Sequence, residues 1–525
     1  MLVYAEPEPT NEVLELREHL AWAEARALQF ETENQVLRAR VATLEAELVL
    51  RDQRIAALEA QVAKLTKMIF GKKSEKMPPA NKEIAKQNGD KADPEKTKQR
   101  RKQRDELRKQ KAREVEIKHE LPEAEKHCPS CPQQPLNFVG TKESVLWEFV
   151  PAHFERQVHI QDTWSCPCCG HIVTAPGAKR PTEGGQYGAG FMSHVVVSKC
   201  ADSMPLYRME KQFTRMGVPM ARSTLCALFH QAANILEPIY RSMKLLVEAS
   251  ILVLADETKI PVLDEKLNKT RQGYIWTFLT EDVAYYRFSA TRSGETPVEV
   301  LGKSVGTLLV DGYTGYNVVT TPEGRDRSGC WAHTRRKFFD SIKTAPDEAK
   351  HMLAEILELY RVEYEAVKKN ILKTGAHTQL RKTRAVPILE RIKKWLIEQE
   401  PYHLPKSPLG EAITYTLNQW GPLCHYLTNS QIPIDNNLSE RMLRIIAIGR
   451  GNWLFAGHDD AAQNIAILQS FISSCEMHGV NPEAYLADVL IRVQDHPNSQ
   501  IEDLLPHRWK QLFAPGIPNS TFEIA

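Results

Sequence analysis

Apolar residues recur at alternating steps of three and four from position 13 to position 69. Val13, Leu20, Ala27, Asn34, Val41, Leu48, Ile55, Val62 and Ile69 share one register, and Leu16, Ala23, Phe30, Leu37, Leu44, Arg51, Leu58 and Leu65 share the other. The first series is rich in β-branched residues and holds one Asn, whereas the second is mostly Leu. Those are the a and d preferences of a parallel two-stranded coiled coil, with Asn34 setting register at some cost in stability. A long amphipathic helix packed on its own chain would also carry such a stripe. About eight heptads favour the coil, so a homodimer through 13–69 is expected.

Further along, the rhythm changes. "SILVLADET" reads as a buried strand with Asp256 at its C-terminal end, and "GTLLVDGYTGYN" repeats the design with Asp311. Between them, "GYIWTFLT" and "AYYRFSAT" read as two more strands. Four strands followed by helices suggest an α+β or α/β core. After it, Leu353, Ile356, Leu357, Tyr360 and Tyr364 stand at helical spacing, and "VPILERIKKWL" and "EAITYTLNQWGPLCHYL" continue in that style. Upstream, a helix from about Pro205 to Met216 ends at Gly217, a turn holds Pro219, and a second helix starts near Arg222, Ser223 and Thr224. This is helix-turn-helix spacing, whose second helix can enter the major groove of DNA. Arg222 could reach a guanine edge; Ser223 and Thr224 could do so or cap the helix. The same geometry also occurs as plain packing.

Composition adds bounds. A chain of 525 residues is too long for one core, so about three or four domains are expected. No apolar run approaches the roughly 18–20 residues that span a bilayer, and the start "MLVYAEPEPTNEVLEL" is acidic rather than signal-like. A cytoplasmic protein with no membrane partner is expected. The net charge of +2 hides an uneven distribution. Residues 71–118 hold few apolar side chains and about twice as many basic as acidic ones, a solvated linker that also attracts DNA phosphates.

Five of the ten cysteines cluster. Cys128 and Cys131 form one CxxC pair, and Cys166 and Cys169 a second after about 34 residues, with "WEFVPAHFERQVHIQDTW" between them reading as strand. Four thiolates suit a structural, tetrahedral Zn2+ with no open position for catalysis. Cys168, His127 and His171 are possible substitutes. Cys330 and His333 have the spacing of half a zinc site, but no second half follows, and packing or DNA positioning is favoured for them.

Three acids raise a different chemistry. A carboxylate just past a buried strand is costly unless it is hydrogen-bonded or faces a ligand. Asp256 and Asp311 are also explicable as turn and cap residues. A third carboxylate would turn the pair into a site for two Mg2+ or Mn2+ ions that drive in-line displacement at phosphorus. Glu440 suits the place, in the first turn of a helix. It also fits a capping pattern with Asn437, and an ion pair with Arg444 is possible.

The segments "ADET", "VDGYTGYN", "CWAHTRRKF" and "IPIDNNLSERMLRIIAIGRGNWLFAG", in that order, resemble the transposases of the insertion sequence 66 family. The likeness extends through "FGKKSEK", "HELPE", "ARSTL" and "HGVNPEAYLADVL", and so over nearly the whole chain. It implies a DDE transposase with a ribonuclease H-like core, Asp256, Asp311 and Glu440 as catalytic and metal-binding residues, DNA as substrate, a nucleoid location, and accessory proteins from the same element. The 128 residues between Asp311 and Glu440 are too many for a loop, and a helical insertion is expected there. Arg335, Arg336, Lys337, Arg441, Arg444 and Arg450 become candidates for phosphate contacts. The expected organisation is multidomain: a coiled coil (1–70), a basic linker (71–118), a zinc module (119–180) and a helix-turn-helix region (181–248). A catalytic core follows (249–335 and 433–525), interrupted by a helical insertion (336–432). The alternatives are a ribonuclease H-like nuclease or resolvase that only hydrolyses, and a DNA-binding regulator on an inactive core.

Overall fold

The computed structural model describes parts of residues 20–52, strand backbones within 127–135 and 163–174, residues 154 and 156–162, and residues 177–264 and 269–514. Where described, residues 20–52 are helical, with Leu37, Val41, Leu44 and Leu48 exposed. Much of the heptad, the basic linker, Cys166 and Cys169 lie outside the described residues. The chain divides into two compact units, one comprising residues 76–329 and 431–525, the other 1–75 and 330–430.

Two short hairpins open the first unit. β1 (His127–Cys128) pairs with β2 (Cys131–Pro135), with Cys128 and Cys131 as register partners in the backbone. β3 (Thr163–Ser165) pairs with β4 (Ile172–Thr174). The strand expected before β3 is not formed over residues 156–162. These residues are exposed and carry no strand assignment, so the alternating Val158 and Ile160 meet no partner strand among the described residues.

The centre of the unit is a five-stranded sheet of β5 (Leu252–Asp264), β6 (Lys269–Leu279), β7 (Ala284–Ser289), β8 (Gly306–Leu309) and β9 (Arg325–Ser328). Its order is β7-β6-β5-β8-β9, with β5, β6 and β7 antiparallel to their neighbours in turn and β5, β8 and β9 parallel. The apolar runs dictate this centre: Val253, Leu254, Ala255, Ile275, Trp276, Phe278, Leu308 and Leu309 are all buried. Gly306 enters β8 at φ +118, and a Cβ there would lie 2.3 Å from the Ile251 carbonyl oxygen. β9 is a strand that the four-strand reading lacks. Its sequence is polar, and Arg325 is buried by donating to Ser304 Oγ at 2.9 Å and to the Glu248 carbonyl at 3.0 Å.

Helices cover this sheet. α1 (Ala189–Cys200), α2 (Leu206–Arg215) and α3 (Arg222–Ala249) precede it, and α4 (Glu295–Leu301) lies between β7 and β8 in the chain. α5 (Asn437–Trp453), α6 (Asp459–Met477), α7 (Pro482–Arg492) and α8 (Pro506–Leu512) follow. α3 buries Leu225, Leu228, Phe229, Ala232, Leu236, Ile239, Tyr240 and Met243 at helical spacing. Each large side chain so placed contributes about 1.5–3 kcal/mol. α6 runs along the edge strand β7 and supplies the partners that a sixth strand would give. Ser474 Oγ accepts from the Ala284 amide (2.9 Å), Ser470 Oγ from Tyr286 (2.9 Å) and Gln463 Oε1 from Phe288 (3.2 Å).

In the second unit, residues 330–430 are helical, including Trp331–Asp340, Pro346–Lys368, Val386–Gln399 and Pro408–Asn418. The buried stripe of Pro346–Lys368 is Ala349, Met352, Ile356, Leu359, Val362 and Ala366, while Tyr364 is exposed. The face is thus rotated by about one residue from the Leu353–Tyr364 series, because Met352, Leu359 and Val362 offer an equally regular apolar row. Arg381 is buried at a π-helical turn, holding Glu363 with two bonds (2.8 and 2.7 Å) and the Tyr426 carbonyl (2.7 Å).

Candidate active site

Asp256 and Asp311 occupy equivalent places on neighbouring parallel strands. The ladder between β5 and β8 ends at the pair Leu254–Leu309, and each aspartate lies two residues beyond it. Asp256 lies within β5 and Asp311 just past the end of β8, on strands about 4.8 Å apart. Asp311 follows its strand as the apolar pattern suggests. Asp256 does not end its strand: β5 continues to Asp264, held by β6, with Asp256 opposite Thr277. The aspartate marks the end of one ladder, not of the strand.

Glu440 comes from α5, whose first turn starts one residue earlier than the capping pattern implied. Asn436 is the N-cap residue, without a side-chain capping bond, and Asn437 Nδ2 instead donates to Asp435 (2.7 Å). The Asn437–Glu440 capping box is therefore not formed. Asn436 has another task. It is fully buried, its Nδ2 donates to the Ala255 carbonyl at 2.8 Å, and its Oδ1 accepts from Ser439 Oγ at 2.5 Å. The start of the Glu440 helix is thereby fastened to the residue before Asp256.

Electrostatics tie the acids together. Desolvation first, then the charges of Glu257, Asp311 and Glu440, push the Asp256 carboxyl up to about 8, against a bond from the Glu257 amide to its Oδ1 (2.8 Å). The four carboxylates share one field. Asp311 Oδ1 accepts from the Tyr313 amide (2.9 Å), and its carbonyl accepts from Arg327 (2.6 Å).

Several contributors have no signal in the apolar pattern. Burial raises the Glu257 carboxyl, while hydrogen bonds from Tyr316 Oη (2.8 Å) and Arg292 Nε (2.7 Å) pull it down. The Arg292 guanidinium also covers the Tyr313 ring at 3.9 Å. Glu257 stands beside Asp256 in "ADET", the one place where the sequence could have flagged it.

The basic candidates are dispersed. Arg441 and Arg444 are exposed on α5; Arg450 is half-buried and fastens α5 to β5 through Thr258 Oγ1 (3.0 Å) and the Lys259 carbonyl. Arg335, Arg336 and Lys337 lie half-buried on the helix Trp331–Asp340 of the second unit, where Lys337 Nζ stands 4.7 Å from the Tyr415 ring centre. Cys330, just before that helix, is buried, and the neighbouring Trp331 indole donates to the Leu423 carbonyl (2.8 Å). Arg222 opens α3 and pairs with Glu210 of α2 (3.3 Å) across a turn that contains Gly217 at φ +81. Ser223 and Thr224 do not cap α3: its N-cap is Ala221, without a side-chain bond. Cys128 and Cys131 are described in backbone only.

Comparison with known proteins gives one family at three places between residues 125 and 507. Residues 184–464 match the model of the Transposase IS66 family, residues 470–507 the IS66 C-terminal element, and residues 125–170 the zinc-finger binding domain of transposase IS66. The last range contains all four paired cysteines, so a zinc-binding domain is part of the chain. Uncharacterized protein y4jD of Sinorhizobium fredii (strain NBRC 101917 / NGR234) is 30% identical over 407 residues, covering 74% of this chain and 79% of the relative. Uncharacterized proteins y4hP and y4qI of the same strain are 28% identical (74% of each chain) and 29% identical (71% and 72%). No helix among the described residues is long and apolar enough to cross a membrane. The chain belongs to the IS66 family of transposases.

Proposed function

We propose that this transposase binds the ends of its element and both cleaves and rejoins DNA strands there, with Asp256, Asp311 and Glu440 as its catalytic acids. The observation that carries the reading is the convergence of three carboxylates from distant segments, two at matched positions past the end of the β5–β8 ladder and one on a helix bolted beside them. The donor set fits a divalent cation. All three are hard oxygen ligands, and positive charge among them would offset the burial and, secondarily, the carboxylate repulsion that push Asp256 up to about 8. Bound Mg2+ or Mn2+ would supply Lewis-acid activation of the attacking oxygen and stabilisation of the leaving one.

In the first reaction a water oxygen bonds to phosphorus, the P–O3′ bond breaks, and a free 3′-hydroxyl is left. In the second that hydroxyl attacks a target phosphodiester, displacing another 3′-oxygen, so no covalent enzyme intermediate forms. The chain's own share is to hold oxygens still. The Glu257 and Tyr313 amides fix the two aspartates, Asn436 fixes the helix of Glu440, and Arg292 keeps Glu257 paired. The strand order, antiparallel across β7, β6 and β5 and parallel across β5, β8 and β9, supports a ribonuclease H-like core. The exposed stripe Leu37, Val41, Leu44 and Leu48 supports a coiled-coil homodimer through 13–69. The α2–turn–α3 geometry supports a helix-turn-helix, with Arg222, Ser223 and Thr224 toward DNA. Zn2+ on Cys128, Cys131, Cys166 and Cys169 would order the finger. Arg335, Arg336, Lys337, Arg441 and Arg444 are assigned to phosphates, and Arg450 to fixing α5.

The test is mobilisation of the native element in cells, together with any accessory proteins it encodes, comparing wild type with Glu440→Gln at matched protein levels. Gln keeps shape and removes charge. Movement should fall at least about a hundredfold while binding to the ends persists. Undiminished movement would show that Glu440 is not a catalytic ligand.

A further inference from the structure

The helix that carries Glu440 ends in a strained, exposed turn. Leu454 has φ +69 and ψ −51, and the Phe455 amide donates back to the Trp453 carbonyl at 2.9 Å. That is a γ-turn of the rare positive-φ kind, a conformation a leucine adopts only when its surroundings impose it. The surroundings are visible. On one side, Arg450 is bonded to Thr258 and Lys259 of β5. On the other, Ala456 is clamped to the same strand: its amide donates to the Pro261 carbonyl (2.9 Å) and its carbonyl accepts from the Leu263 amide (2.8 Å). In the stretch held at both ends, the last two residues before Ala456 present their side chains to solvent, Leu454 64% exposed and Phe455 43%.

A strained turn that exposes two large apolar side chains runs against both local conformational preference and burial. Its position suggests the compensation. The exposed face of α5 carries Arg441, Arg444 and Ile448 at helical spacing and leads from beside Glu440 to this turn. We propose that Leu454 and Phe455 form a wedge that enters a DNA duplex and unstacks a base step, while Arg441 and Arg444 hold the intervening phosphates. The inference rests on the transposase mechanism proposed above and adds to it a positioning element and its target. The helix rises about 20 Å from Glu440 to Trp453. At about 3.4 Å per base step, the disturbed step lies about six base pairs from the scissile phosphate. Apolar side chains between base steps kink duplexes in this way, and the unstacking they cause is offset by new protein contacts. The wedge would hold the DNA in a fixed register against the acids.

The test uses the purified full-length chain and duplexes of the element's terminal sequence with 2-aminopurine placed at successive positions. Wild type and Glu440→Gln should both brighten the probe at one step, about six base pairs from the cleavage point. Leu454→Gly with Phe455→Ala should abolish that signal. A mismatch built into that step should tighten wild-type binding about tenfold and leave the double variant's affinity unchanged. Because glycine tolerates positive φ, Leu454→Gly alone should melt no lower than wild type, which separates the wedge from a structural role. Loss of stability without loss of the fluorescent signal would overturn the wedge and leave the turn to packing. A signal retained in the stable double variant would overturn it equally and leave the turn to a protein partner. Wild type that binds the ends but brightens no probe refutes the wedge alone; wild type that binds no DNA refutes the mechanism it rests on as well.

Discussion

Asn436→Ala should uncouple the third acid from the first. The side chain is fully buried and spans from the Ala255 carbonyl to the Ser439 hydroxyl, at 2.8 and 2.5 Å. Alanine removes both bonds and leaves two polar groups facing a small void. An orphaned buried group costs about 1–3 kcal/mol. The Ser439 hydroxyl can turn toward another acceptor, so the combined loss should be roughly 2–4 kcal/mol. At 1.4 kcal/mol per tenfold, local opening becomes about 30- to 700-fold more frequent. Hydrogen exchange on the full chain reads this directly. Peptides covering β5 near Asp256 and the first turn of α5 should exchange faster, while those from the helix Pro346–Lys368 should not change. Element mobilisation should fall with them, because Glu440 no longer holds its place beside Asp256. Asn436→Asp keeps the acceptor for Ser439 but turns a carboxylate oxygen toward the Ala255 carbonyl and adds charge near three acids, so it should be no better than alanine. Unchanged exchange in both peptides of Asn436→Ala, with mobilisation intact, would refute the joint.

Two further outcomes are expected. Replacing Ser470 and Ser474 together by alanine strands the Ala284 and Tyr286 amides, and the urea midpoint should drop by an equivalent of about 2–4 kcal/mol; a change under about 0.5 kcal/mol would contradict the edge contact. His194 is raised by its hydrogen bond to Glu483 (2.9 Å) more than desolvation lowers it. A raised imidazole stabilises the fold fully below the ordinary value of about 6.5 and loses that contribution as pH climbs through the folded value. The pair is 41% and 49% exposed, so the gap in stability between wild type and His194→Ala should be at most about 1 kcal/mol at pH 5 and should close above neutrality. A gap that widens with pH would reverse the assignment.

The sheet was largely legible because its centre is written in unbroken apolar runs, "ILVLA" and "TLLV" among them. The length of β5 was not. Glu257, Thr258 and Lys259 look like the polar start of a turn, and only the pairing with Lys269–Leu279 makes them strand. β9 escaped for a related reason: "RDRS" has no apolar signal, and its burial depends on carbonyls at the end of α3 that hydrogen-bond Arg325. In the second unit, two adjacent apolar rows were equally regular, and packing chose Met352, Leu359 and Val362. The candidate site divides similarly. Asp311 was visible as an acid after a short strand, whereas Glu440 was a candidate that a helix-capping role explained equally well until the family resemblance favoured it. Its location depends on Asn436 meeting Ala255, a contact across 181 residues that no local pattern encodes.

The bonds from α6 to β7 bear on where the chain can be shortened. Gln463 falls just inside the region matched to the Transposase IS66 family, whereas Ser470 and Ser474 belong to the range of the C-terminal element. A truncation at the boundary between the two matched regions would look like clean removal of an appendage. It would instead strip two of these three acceptors from a strand and leave its amides bare at the margin of the sheet. Bare strand margins recruit other strands. The shortened protein should therefore be lost to self-association rather than persist as a smaller, independent core. The C-terminal element is in this sense the selvedge of the five-stranded sheet, finishing an edge that the core leaves raw.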